Sequence, residues 1–151
     1  MNNKEIVDKL REDEHYYGKF GQQYLSNSNI KTLLSEPENL YTPVEKTSAM
    51  LIGGYFHTII LEPEKVKSFR IVESSSRNTK HYKEISDGEM CLLQHEADMV
   101  EAMTDKLLKN RFIESLITGS NIIYEEPAVG KIFNFNWKAK ADIINYDERL
   151  V

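Results

Sequence analysis

The segment from residue 137 to residue 144, WKAKADII, carries the side chains best suited to phosphate chemistry. In a strand, Lys138, Lys140 and Asp142 would share one face, and the two alanines would share the other. Lysines suit contacts with phosphate groups, and an aspartate suits a hard cation such as Mg²⁺. The alternative interpretation is an ordinary solvated sheet face.

Three other residues could contribute to the same chemistry. His57 follows Gly53 by one helical turn, and the glycine would leave space beside the imidazole for a metal ion or a phosphate. Glu125 and Glu126 lie near the end of a predicted strand, where successive side chains point to opposite faces, so only one of them can face a given site. The alternative to a metal-binding or phosphate-binding role is an ordinary structural one. His57 would then be a partly buried histidine with a hydrogen bond, and the two glutamates would be solvated. The order histidine, glutamate, Asp142 favours a divalent metal site for phosphodiester hydrolysis.

Helices are predicted to supply the first part of the fold. Residues 1–22 indicate a short helix followed by a loop, and residues 73–83 are polar and indicate a loop. The other helices are predicted from Ser26 or Asn27 to Pro37, from Thr47 or Ser48 to Leu61, from about Asp87 to Asn110, and around Ile113 to Gly119.

Strands are predicted after Gly119, where the period of the hydrophobic pattern changes. A first strand is expected over 121–129, a turn at Gly130 and Lys131, and a second strand over 132–145. A third strand begins near Arg149. The fold class is therefore α+β, or mixed α/β: helices over about 1–119 are followed by an antiparallel strand meander over about 120–151. The chain ends on the first residues of an apolar strand, so a fragment of a longer domain is expected.

Bulk composition indicates a single domain within the cell. The chain has 151 residues, of which 40% are hydrophobic and 28% charged, as in ordinary globular domains. One cysteine, the absence of a secretory signal and the absence of a long apolar run indicate a cytosolic protein without a membrane span. The net charge of −5 disfavours a general nucleic-acid binder. It is compatible with a metal nuclease whose carboxylates hold cations.

Four segments in order resemble exonucleases of the RecE type, which belong to the PD-(D/E)xK nuclease superfamily. Residues 24–31 (YLSNSNIK) resemble the family's YLSxSxLK opening, and residues 51–64 (LIGGYFHTIILEPE) are similar to its GxxxH and LEPE signature. Residues 77–83 (RNTKHYK) look like its basic linker. Residues 137–144 resemble its KGRPD strand, with Ala139, Lys140 and Ala141 in place of glycine, arginine and proline.

The resemblance implies roles for individual residues. Asp142 would be the central metal-bridging carboxylate, and His57 would ligate or position a second metal ion. Glu126 would lie near the metals, with Glu125 as the alternative. The residues expected to contact the DNA backbone are Lys138, Lys140, Arg77 and Lys80. The cofactor would be Mg²⁺, with Mn²⁺ also suitable.

The resemblance also implies an activity and partners. A complete family member degrades one strand of linear duplex DNA from its 5′ end during phage recombination, works with a single-strand annealing protein and often forms ring-like oligomers. The family's next motif, D-x-K, would fall just past Val151, so the chain by itself is expected to be inactive or nearly so. Two alternatives stay open: a non-catalytic DNA-binding or regulatory protein derived from the nuclease, and an α+β interaction module.

Overall fold

The computed structural model describes all residues from Met1 to Val151. Its helices and strands, in chain order, are α1 (Asn3–Leu10), α2 (Asp13–Tyr17), α3 (Asn27–Ser35), α4 (Ser48–Leu61), β1 (Ile71–Val72), α5 (Lys80–Ser86), β2 (Leu92–Leu93), α6 (Gln94–Leu108), α7 (Arg111–Ile117), β3 (Ile122–Ile132) and β4 (Phe135–Asn145). This mixture of helices with an antiparallel strand pair confirms the predicted fold class.

The chain divides into two compact units. The first unit joins Met1–Pro43 to Asn121–Val151, and the second consists of Val44–Ser120. Within the first unit, α1 packs against β3. None of the helices is both long and apolar enough to cross a membrane.

Capping boxes mark the starts of two helices of the first unit. Asn2 forms a capping box with Glu5 at the start of α1, and Ser26 forms one with Asn29 at the start of α3. Such boxes satisfy backbone donors that a helix start leaves unpaired. The predicted start of α3 at Ser26 or Asn27 is therefore confirmed. Leu10, at the end of α1, is fully buried.

The first unit is built on the hairpin of β3 and β4, which pair from Ile122 with Asn145 to Ile132 with Phe135. The outer edge of β4 is bridged near its start by Leu25 and at its end by Leu150. The Leu150 bridge to Asn145 is antiparallel and coincides with the predicted beginning of a third strand.

The hairpin turn lies at Phe133 and Asn134, so the predicted turn at Gly130 and Lys131 is wrong. Gly130 and Lys131 are instead paired within the ladder, opposite residues of β4. Phe133 and Asn134 have φ angles of 48° and 67°, as a two-residue type I′ turn requires. A glycine is the usual local signal for such a turn, but the register of the whole buried face decides its position.

Phe133→Asn is expected to stabilise the protein by about 0.5–1 kcal/mol, because asparagine adopts positive φ at a lower cost than phenylalanine. The Phe133 ring is 90% exposed, so little packing is lost. Urea unfolding followed by circular dichroism measures the change. The matched control is Phe135→Asn, two residues further on in the strand, which should not stabilise. A Phe133→Asn protein no more stable than the parent would contradict this account of the turn.

The second unit is built around α4 and α6, which pack against each other. Tyr55 of α4, Leu92, and Ala97 and Val100 of α6 form its buried core. Thr47 caps α4 by accepting a hydrogen bond from the backbone N–H of Met50, which confirms the predicted start of this helix. α7 also lies where the pattern around Ile113 predicts it.

Two short elements of the second unit differ from the prediction. The predicted loop over 73–83 is wrong in its last part, because α5 begins at Lys80 with Thr79 as its cap. The Tyr82 hydroxyl holds α5 by donating to the Cys91 carbonyl at 3.1 Å and accepting from the Cys91 N–H at 2.7 Å. The long helix begins later than predicted because Leu92 and Leu93 form β2, a parallel partner of β1.

Candidate metal centre

Glu125 of β3 and Asp142 of β4 lie opposite each other on the hairpin. The residues flanking both positions pair in register, and the carboxylate oxygens of the two side chains lie within 4.8 Å of each other. Like charges placed directly opposite destabilise a sheet. Glu125 also has a φ of 52°, which residues other than glycine rarely adopt and which is common at functional sites. The arrangement favours a cation at this position.

The ammonium group of Lys140 already supplies positive charge beside this pair. Its Nζ lies 3.4 Å from Glu125 Oε2 and 2.9 Å from Asp13 Oδ1 of α2. Burial acts to lower the pKa of Lys140, but the hydrogen bond and charge of Asp13, with contributions from Tyr17 and Glu125, raise it above its ordinary value. Lys140 therefore remains an ammonium group at neutral pH.

Lys138 is directed into the first unit. Its Nζ donates a hydrogen bond to the Tyr16 carbonyl and lies 4.2 Å from the centre of the Tyr16 ring. Burial, with the nearby charge of Lys140 as a second cause, lowers the pKa of Lys138. The Lys138 ammonium therefore has a buried backbone acceptor, and its predicted contact with a DNA backbone stays a prediction.

Gly21 shows how closely Lys138 is enclosed. A Cβ added at Gly21 would lie 1.9 Å from the Tyr16 carbonyl oxygen and 2.6 Å from Lys138 Nζ. Only a glycine allows the chain to pass this close to both atoms. The position of Lys138 is therefore fixed by the fold of the N-terminal segment.

Glu126, the glutamate preferred in the sequence analysis, is engaged elsewhere. Its carboxylate forms a two-pronged ion pair with Arg11, with Nη2 and Oε1 2.7 Å apart. Fork-to-fork pairs of this kind are among the stronger polar contacts. The geometry therefore favours Glu125, the alternative, as the glutamate that accompanies Asp142.

His57 belongs to α4 of the second unit and is half-buried. A Cβ added at Gly53 would meet no atom within 4 Å, so the space expected beside this glycine is present. His57 has a polar or electrostatic partner of its own. Its predicted role as a metal ligand stays a prediction.

Arg77 and Lys80, the other predicted DNA contacts, also lie in the second unit. Arg77 forms two hydrogen bonds with the carboxylate of Glu96, at 2.8 Å and 2.5 Å, and a third with the Cys91 carbonyl. Lys80 is 90% exposed, with Glu84 3.7 Å away. Of the two, Lys80 presents its charge to solvent, because its side chain and that of Glu84 are both largely exposed.

The donor set at Glu125 and Asp142 fits a hard divalent cation. Carboxylate oxygens suit Mg²⁺ and Mn²⁺, whereas thiolates select softer ions, and the only cysteine is buried in the second unit. The ammonium of Lys140 beside Glu125 shows that the fold already holds a positive charge here. These residues could supply two ligands, with water completing the shell.

No specific local pattern indicates three residues that surround the candidate site. Arg11, Asp13 and Tyr16 come from α1 and α2, more than 100 residues before β3 in the chain. They contact Glu126, Lys140 and Lys138, respectively. Residues 8–14 (DKLREDE) carry charges of both signs, and this mixture is equally typical of a solvated helix.

The fold is similar to that of a solved protein from Eubacterium rectale described as a candidate exonuclease. It aligns with a TM-score of 0.60 and 17% sequence identity. The alignment covers 89% of this chain and 49% of that chain, so the present chain spans about half the length of the solved one. At this identity, the likeness shows a shared fold alone. No curated protein matches the sequence significantly.

A family model matches residues 24–151, and its description is a PDDEXK-like domain of unknown function (DUF3799). This match covers most of the chain and agrees with the superfamily expected from the sequence. The protein belongs to this family of PDDEXK-like domains.

Proposed function

We propose that the protein acts in the metal-dependent hydrolysis of DNA. The observation that supports this function best is the carboxylate pair of Glu125 and Asp142, opposite each other on the hairpin of a PDDEXK-like fold. The solved protein that shares the fold is described as a candidate exonuclease, which also supports this function.

Glu125 and Asp142 would hold Mg²⁺ or Mn²⁺, and His57 is proposed, on the strength of the RecE resemblance, to ligate or position a second metal ion. When bound, such an ion activates water and stabilises the charge that develops on a phosphate under attack. Lys140 would keep the local charge balanced and would neutralise a phosphate oxygen close to the pair. Asp142 would fix the position of the cation relative to the DNA strand.

The finer features of the proposal rest on the RecE resemblance. The substrate would be linear duplex DNA, digested in the 5′ to 3′ direction from an end, in phage recombination within the bacterial cytoplasm. A single-strand annealing protein would take the strand that remains, and a ring of identical chains would enclose the duplex. Lys80, which is exposed, would contact the phosphate backbone. The other residues that would contact it have internal partners, which DNA binding would have to replace: Lys138, Lys140 and Arg77.

Digestion of DNA labelled at one end tests this proposal. A protein containing the chain should degrade linear duplex DNA in the presence of Mg²⁺, and Asp142→Asn should lower the rate by at least about 100-fold. A 5′ label should appear first as mononucleotide, and closed circular duplex should resist digestion. Equal digestion by the parent and the Asp142→Asn protein would overturn the assignment of the site.

A second candidate function is non-catalytic DNA binding. It is favoured by the ion pair of Lys140 with Glu125, because an internal ammonium can neutralise this carboxylate without a metal ion. Under this alternative, the protein binds duplex DNA equally well with and without Mg²⁺ and does not cleave it. Asp142→Asn would then leave the affinity for DNA unchanged.

A further inference from the structure

The N-terminal helices contribute to the candidate metal centre although they lie before the residues that the family model matches, which begin at Tyr24. Asp13, from the first turn of α2, binds Lys140 of β4, 127 positions away in the chain. Tyr16 of the same helix lies against both Lys138 and Lys140. The carboxylates of Asp13 and Glu125 therefore share the Lys140 ammonium as a neighbour.

The Lys140 ammonium has two carboxylates as neighbours and little freedom to leave them. It lies 2.9 Å from Asp13 and 3.4 Å from Glu125, and its side chain is only 9% exposed. The ring centre of Tyr16 is 4.7 Å away and that of Tyr17 is 5.5 Å away, close enough for a favourable cation–π contact. The ammonium is therefore confined to a position shared between Asp13 and Glu125.

We propose that Asp13 is a positioning residue for the metal centre, because it draws the Lys140 ammonium away from Glu125 and so leaves this carboxylate able to bind a divalent cation. The inference rests on the proposed function, since it takes Glu125 and Asp142 as the ligands. It adds a role for a part of the chain outside the family match.

The physical basis is competition between two cations for one carboxylate. A divalent ion at Glu125 and Asp142 is repelled by the nearby Lys140 ammonium. Water screens this repulsion little on the side of Lys140, whose side chain is 9% exposed, and more on the side of Asp142, which is exposed. Asp13 offers the ammonium an alternative acceptor at a shorter distance than Glu125 does. Without the Asp13 carboxylate, Lys140 has Glu125 as its nearest anion and opposes the metal ion more strongly.

A double-mutant cycle on Mn²⁺ binding tests the inference, with affinity measured by isothermal titration calorimetry on the whole chain. Asp13→Asn should weaken Mn²⁺ binding by about tenfold, since contacting charges couple by this order. Lys140→Met should strengthen binding, because the competing ammonium is gone. Adding Asp13→Asn to the Lys140→Met protein should change affinity by no more than about twofold, because Asp13 acts through Lys140.

Asp13→Glu provides the conservative comparison and should retain more of the affinity than Asp13→Asn. Asp13 is 49% exposed, and asparagine has nearly the same size, so the folded state should be kept; Asp13→Ser serves as a second variant. Unchanged Mn²⁺ affinity in both Asp13→Asn and Asp13→Ser would overturn the inference. The inference would also be overturned if Asp13→Asn lowered the Mn²⁺ affinity equally in the parent and in the Lys140→Met protein. That result would indicate that the Asp13 charge acts directly on the metal ion.

The cycle also separates this inference from the function on which it rests. Mn²⁺ binding that depends on Asp142 but not on Asp13 would keep the metal centre and reject the positioning role. If neither the parent nor the Lys140→Met protein binds Mn²⁺, the proposed metal centre and the role of Asp13 are both rejected.

Discussion

Glu125→Gln is expected to weaken Mn²⁺ binding by at least about 10- to 100-fold. Mutating a residue that only orients a metal ligand typically lowers the metal affinity by this factor, and losing the ligand itself should lower it at least as much. Glu125 lies opposite Asp142, with their carboxylate oxygens within 4.8 Å. The amide keeps the size of the side chain but removes the charge that attracts the cation. Calorimetric titration of the folded protein with Mn²⁺ measures the change.

Glu126→Gln is the matched control, since it makes the same chemical change at the next residue. Glu126 is bound to Arg11, so its replacement should leave the Mn²⁺ affinity within about twofold and cost about 1 kcal/mol or less of stability, as for a partly exposed ion pair. If Glu126→Gln weakens binding and Glu125→Gln does not, Glu126 is the ligand, as first preferred from the sequence.

Arg77→Met is expected to lower the free energy of unfolding by about 2–4 kcal/mol, because it leaves a buried carboxylate without its main partner. The Glu96 side chain is 11% exposed and that of Arg77 is 24% exposed. Glu96 also accepts a hydrogen bond from the Leu93 N–H at the start of α6. Urea unfolding followed by circular dichroism provides the measurement.

The pH dependence of this effect follows from Glu96. Burial acts to raise the pKa of Glu96, but the hydrogen bonds from Arg77 and the Leu93 N–H, with the charge of Arg77, lower it below its ordinary value. A carboxyl whose pKa is lowered on folding contributes stability above its unfolded pKa and loses it as the pH falls through the folded pKa. The difference between the parent and Arg77→Met should therefore shrink in acid.

Lys80→Met is the control for Arg77→Met, because it also removes a positive charge from the predicted basic linker. Lys80 is 90% exposed, and its replacement should change stability by no more than about 0.5 kcal/mol. Equal effects of the two substitutions at neutral pH would show that the Arg77–Glu96 pair does not stabilise the second unit.

Local signals were sufficient for much of the fold. Thr47 and Ser26 could be identified as caps because a capping side chain acts within three residues of itself. The face shared by Lys138, Lys140 and Asp142 follows from the alternation of a strand, and the side chains of Lys140 and Asp142 both lie close to Glu125. These features depend on neighbours in sequence.

Features that depend on distant residues could not be predicted in the same way. A shift of one residue in register exchanges the two faces of a strand, so the sequence left Glu125 and Glu126 as alternatives. The turn at Phe133 and Asn134 is set by the same register. α5 consists largely of polar residues and is held through Tyr82 by contacts with Cys91, which no pattern within α5 indicates.

The most direct test of the metal centre is anomalous X-ray scattering from crystals of the protein grown with Mn²⁺. We expect a strong anomalous peak within coordination distance of Glu125 and Asp142, with the Lys140 ammonium moved towards Asp13. A peak elsewhere, or none at these carboxylates under conditions that saturate Mn²⁺ binding in solution, would contradict the assignment of this pair as the site for DNA hydrolysis.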